Sequence, residues 1–159
     1  MKARLVLVLL VSGLLGLPAQ ARLGESLKQI TTRYGKPASQ PAKSQAMWLF
    51  EEGDGQVMYT VTFNEAGSSI AEGFKPARRG TLAKDTAETF IHGQLAGRAK
   101  PDGGRVVKAG EQYAFAGKTL VCGAKEFVFV DEAADLLVVW NQDYPGTIMV
   151  LSAEMVRRM

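Results

Sequence analysis

One histidine and one cysteine are the residues of this chain best suited to activate or act as a nucleophile near neutral pH. His92 follows Glu88 by one helical turn and stands beside the apolar stripe Ala87, Phe90, Ile91, so it reads as a surface histidine with an acidic i,i+4 neighbour. Cys122 closes the run Thr119-Leu120-Val121-Cys122 and reads as a small buried hydrophobe. Brought together, the two would make a small hydrolase or thiol enzyme; nothing in the sequence brings them together. A lone cysteine also means no intramolecular disulfide. One cysteine and one histidine do not fill a four-ligand zinc site, and Asp131-Glu132-Ala133-Ala134-Asp135 lacks the alternating oxygen ligands and central glycine of a calcium loop. No metal and no cofactor are expected. Pro101-Asp102-Gly103-Gly104 is not followed by the Gly-Lys-Ser/Thr of a phosphate loop. Glu51, Glu52 and Asp54 could be imagined as the acid pair of a glycosidase, but no sugar-stacking aromatics accompany them and acidic residues are ordinary at a turn.

What remains is a surface. Trp48 and Phe50 share one face of a strand and Met47 and Leu49 the other. Exposed Trp48 and Phe50 beside Arg78 and Arg79 would form an aromatic and cationic anchor patch of the kind interfaces favour. The competing reading places both aromatics in the core and both arginines in a solvated loop.

Residues 1–21 read as a secretory signal peptide: Lys2 and Arg4 begin it, Leu5 to Leu17 is its apolar run, and Ala19-Gln20-Ala21 is a small-x-small cleavage site with Arg22 next. Thirteen residues are too few to span a bilayer core of roughly 30 Å. No cysteine stands at the cleavage point for lipidation, so no stable membrane anchor is expected after cleavage. Loss of Lys2 and Arg4 lowers the formal net charge from +3 to +1, which argues against a nucleic-acid partner. The expected setting is the periplasm or the outside of a bacterial cell.

Residues 22–159 have the length of a single small domain. Leu23, Leu27, Ile30 and Tyr34 mark a first helix, stopped by Gly35 and Pro37. Ala38 to Ser44 reads as a polar connection, followed by strands at 46–51, 56–63 and 68–74 with short glycine-bearing turns. A second helix is expected from about Leu82 to Leu95, with Asp85 and Glu88 as a capping box and Ala83, Ala87, Phe90, Ile91 and Leu95 as its inner stripe. Residues 97–110 read as a flexible segment. Strands at 113–115, 119–122, 126–130, 136–141 and 148–151 follow, with Pro145-Gly146 in a type II turn and Ser152 capping a short last helix.

The stretch from Leu23 to Phe74 carries Leu23-Gly24-Glu25-Ser26, Tyr34-Gly35-Lys36-Pro37, Met47-Trp48-Leu49-Phe50 and Val57 to Phe63. In that order it resembles the SmpA/OmlA-type outer-membrane assembly lipoproteins and the β-lactamase-inhibitor-protein repeats. The resemblance implies a helix followed by hairpin-linked strands, and a leaning toward protein binding. The expected fold is α+β, with helices packed on one face of a mainly antiparallel meander sheet and two loosely similar helix-plus-strands halves. The expected function is that of a non-catalytic interaction module whose partner is an envelope or extracellular protein. A passive envelope component is a further reading.

Overall fold

The computed structural model describes residues 22–53, 55–78, 80–96, 103–143 and 145–159. The signal-peptide reading, Ala21 of its cleavage site and Arg79 therefore lie outside the described residues.

Helix α1 (Leu27–Tyr34) starts at Ser26, whose side chain accepts from the Gln29 N–H while Gln29 reaches back to the Ser26 N–H. That reciprocal pair satisfies two of the donors that a helix start leaves free. Four strands follow: β1 (Ser39–Ala42), β2 (Gln45–Glu52), β3 (Gly55–Phe63) and β4 (Ser69–Pro76). Then come α2 (Lys84–Leu95), β5 (Arg105–Val107), the hairpin β6 (Gln112–Phe115) and β7 (Lys118–Val121), β8 (Glu126–Asp131), β9 (Leu136–Asn141), β10 (Thr147–Leu151) and α3 (Ala153–Arg158). β1 lies where a polar connection was expected and β5 within the segment expected to be flexible, of which 97–102 lie outside the described residues. The expected capping box of α2 does not form: its N-cap is Ala83, with no side-chain cap.

Eight strands make one antiparallel sheet in the order β1-β2-β3-β4-β10-β9-β8-β5, while β6 and β7 pair only with each other. This overturns the expectation of a meander covered by helices on one face. The last strand, β10, inserts between β4 and β9, and the helices do not gather on a single face. Ile30 of α1 and Ala87, Phe90 and Ile91 of α2 pack with Trp48, Tyr59, Phe74, Val138 and Ile148 in a first core. Val156 of α3 instead joins Tyr113, Phe115, Cys122, Val128, Val130, Leu137 and Leu151 in a second core on the opposite face. Nor do the two halves match, since the second sends a hairpin out of the sheet to cover it.

The physical reason lies in the strands. β3 alternates strictly, with Val57, Tyr59, Val61 and Phe63 buried and Gln56, Met58, Thr60 and Thr62 only partly so, as a one-sided sheet requires. β8 and β9 do not alternate. Val128 and Val130 point to the second core while Phe127 and Phe129 meet the first, and Leu137 opposes Leu136 and Val138 in the same way. Strands apolar on both faces need a layer on each side, and the β6–β7 hairpin with α3 is that second layer.

Tyr59 is the hub of the first core. Its ring lies 5.6 Å from those of Tyr34 and Trp48 and 6.0 Å from that of Phe90, which stacks on Phe74 at 4.7 Å. Burial of these large aromatic faces is the main stabilising contribution here.

Candidate functional site: the open sheet face

Because the second layer covers only the β8–β9–β10 part of its face, the same face of β2, β3 and β4 is left open. Pairing registers place its residues in three cross-strand rows. Gln45, Thr62, Ala71, Leu151 and Leu137 form one; Met47, Thr60, Gly73, Met149 and Val139 form the next; Leu49, Met58 and Lys75 form the third. The rows run from open face to covered face, and Leu151, Leu137 and Val139 already belong with the second core. Leu49, near the sheet edge beyond the end of β1, is 42% exposed, and Met149, on the central strand β10, is 41% exposed. Lys75 is exposed among them and has no ion-pair partner among the described residues.

The centre of this face is sunken. Gly73 stands opposite Thr60, and a Cβ at Gly73 would come within 2.6 Å of the Thr60 Oγ1. Thr60, Thr62, Ala71 and Gly73 thus floor a groove of about 320 Å³, walled on the far side by Met149 and by Met155 and Met159 from the α3 end. Small side chains on the floor and long thioethers on the wall give a surface that is apolar and able to change shape.

Trp48 is 2% exposed on the opposite, helix-covered face, where its Nε1 donates to the Gly35 carbonyl at 2.9 Å. Phe50 is half-buried beside Tyr34, with ring centroids 5.5 Å apart. Arg78 is exposed beyond the end of β4. Trp48 is thus a core residue and Phe50 is partly buried against the core, as the competing reading had it, while their strand neighbours Met47 and Leu49 lie on the other face of β2. The alternation of β2 identified the two pairs; which pair the helices would cover was not legible, since both are apolar.

His92 and Cys122 are kept apart by the sheet. His92 is exposed on α2, against the first core, whereas Cys122 is 1% exposed in the second. Burial, with smaller contributions from Glu126 and Glu111, pushes the Cys122 thiol above its ordinary pKa, opposite to what a nucleophile needs. At the β2–β3 turn Glu51 and Glu52 have separate partners. Glu51 accepts from the Gln56 side chain at 2.6 Å, Glu52 accepts from the Thr86 hydroxyl, and Asp54 lies outside the described residues. Asp131 is fully buried rather than solvated, accepting from the Ala134 N–H at 2.9 Å. Asp135, at φ +53°, accepts from the first N–H of α3.

One polar cluster escaped the sequence reading. Glu72 on β4 is buried on the helix face, where Gln94 of α2 donates to one carboxylate oxygen and Ser69 to the other, the latter at 3.1 Å. The Gln94 carbonyl in turn accepts from the Leu23 N–H at 3.3 Å. The Tyr59 hydroxyl faces the same carboxyl. Burial raises the Glu72 pKa, and the Gln94, Tyr59 and Ser69 side chains offset only part of that. With no ion-pair partner among the described residues, this carboxyl ties the segment before α1, β4 and α2 together. Its only signal in sequence was an acidic residue at an inward position of a strand, Glu72 being two residues from Phe74.

Among the described residues no group of three His, Cys, Asp or Glu side chains is placed to hold a metal ion. Nor is any described helix long and apolar enough to cross a membrane. No protein-family model matches the chain, and no curated protein or solved structure matches it either.

Proposed function

We propose that this chain is a non-catalytic interaction module, exported by its leader to the periplasm or beyond, that holds an envelope or extracellular protein against the open face of β2, β3 and β4. The observation that carries this reading is the incomplete second layer. The first core with α1 and α2 covers one face of the eight-stranded sheet, the second core covers part of the other, and the uncovered part bears Met47, Leu49, Met58 and Met149. Contiguous exposed apolar surface on a folded domain marks contact sites for other molecules. Lys75, with no ion-pair partner among the described residues, favours a partner that presents an acidic group amid apolar surface.

The test is capture from an envelope extract by residues 22–159, with a Leu49→Lys, Met58→Lys double variant and a Glu88→Lys variant on the outer side of α2. The reading expects a saturable protein partner that is lost with the double variant and kept with Glu88→Lys. A partner retained by both variants, or lost equally from both, contradicts it.

A further inference from the structure

Every methionine among the described residues lies on one side of the sheet. Met47, Met58 and Met149 occupy its open face by register, and Met155 and Met159 reach the same side from α3. Three of them, Met149, Met155 and Met159, line a single groove. Met155 lies within α3 and Met159 at its C-cap, four positions on, and both line that groove. Met149 is 41% exposed and Met159 73%, so these side chains reach solvent.

A thioether is a neutral, soft, polarisable donor, and such donors select monovalent copper or silver over zinc, calcium or magnesium. The borderline and hard donors that would attract those other ions are not clustered among the described residues. We propose that Met149, Met155 and Met159 form a binding site for a soft d10 cation, copper(I) or its stable analogue silver(I). Three sulfur lone pairs would replace water around the ion. No proton leaves, because a thioether carries none at any working pH, and nothing is oxidised or reduced. The long, unbranched side chains give the sulfurs freedom to converge over the groove that they line. Glu72 and Lys75 both lie along the groove: the Glu72 carboxyl is turned to the helix face, and Lys75 stands exposed in the neighbouring cross-strand row, where water screens its repulsion of a monovalent ion. This inference stands independently of the protein-binding reading.

A thioether site has a signature that the other soft donors here lack. Binding to the Cys122 thiol or to His92 competes with protons and weakens as pH falls, whereas binding to three methionines does not. The probe is silver nitrate in chloride-free buffer, with stoichiometry read by native mass spectrometry and affinity by titration calorimetry at pH 7 and pH 5. The expected result is one ion per chain with the same affinity at both pH values, unchanged in Cys122→Ala. The Met149→Leu, Met155→Leu, Met159→Leu variant should bind on the order of tenfold more weakly or worse. Leucine is close to methionine in volume, so that variant is expected to melt cooperatively as the parent does. Met149→Leu and Met159→Leu, both at exposed positions, supply a second variant should the triple one fail to fold. Binding that disappears in Cys122→Ala, that falls steeply at pH 5, or that survives removal of the methionine sulfurs overturns the proposal, as does the absence of binding.

Discussion

Neighbouring residues of β3 should respond oppositely to substitution, because one side of that strand is core and the other is open. Val61 is 1% exposed, facing the first core between Ala46 and Glu72. Val61→Ala removes two carbons, worth about 0.8 kcal/mol each in transfer, and leaves a cavity in a sheet that cannot collapse around it; the sum is roughly 2–3 kcal/mol. Met58, three residues earlier, sits between Leu49 and Lys75 on the open face. A lysine there lays its stem along the same surface and sends its ammonium to water, and the like charge of Lys75 opposite adds a few tenths, so Met58→Lys should cost about 1 kcal/mol or less. Equilibrium urea unfolding of residues 22–159 measures both, with a common slope of free energy against denaturant confirming that only stability has changed. A whole domain is held by about 5–15 kcal/mol, so the first variant shifts the midpoint plainly and the second far less. If Met58→Lys costs as much as Val61→Ala, the face is covered by something in the folded chain and the reasoning fails.

Three further outcomes are expected. Glu72 has a folded-state pKa above its unfolded value near 4.5, so the native state holds more protons than the unfolded state above that pH. Its contribution therefore makes stability fall as pH rises from about 4.5 through the raised value, and Glu52, raised by burial, acts in the same direction; denaturation from pH 4.5 to 8 should show this decline, shallower in Glu72→Gln. Cys122 should react with a disulfide reagent only as fast as the protein opens, and at once in urea; rapid labelling of the native protein would show that the second core is not closed. Ala116, at φ +55° in the β6–β7 turn, occupies a conformation that disfavours a Cβ, so Ala116→Asn should raise stability by about 0.5 kcal/mol, read from the urea midpoint.

Much of the architecture was legible because local signals were strong. The spacing of Leu27, Ile30 and Tyr34 and the Gly35 stop define α1, whose start at Ser26 lies later than the Leu23 at which the apolar pattern began; the alternation of β3 defines its two faces, and Ser152 caps α3 through the Met155 N–H as its position implied. β1 was missed because Ser39-Gln40-Pro41-Ala42 is polar and fully exposed; it is a strand only because it borders β2 at the edge of the sheet. The fold class failed for a different reason. The alternation of β3 was extended to the whole sheet, although the runs Phe127 to Val130 and Leu136 to Trp140 are apolar at every position and call for cover on both sides. The same oversight hid the open face. Only once a hairpin and α3 are seen to cover part of the second surface does the rest stand out as uncovered. Periodicity separated Trp48 from Leu49 but could not say which would meet the helices, because that depends on contacts with α1 and α2 far away in the chain.

The account rests most heavily on the open face being where a partner sits, and site-specific photocross-linking in the producing cell tests that directly. A photoreactive phenylalanine analogue would be placed at Leu49 or Met149 on the open face and, in parallel, at Glu88 on the outer side of α2. The account predicts one discrete protein adduct from both open-face positions and none from Glu88. Adducts from Glu88 with none from Leu49 or Met149 would contradict it.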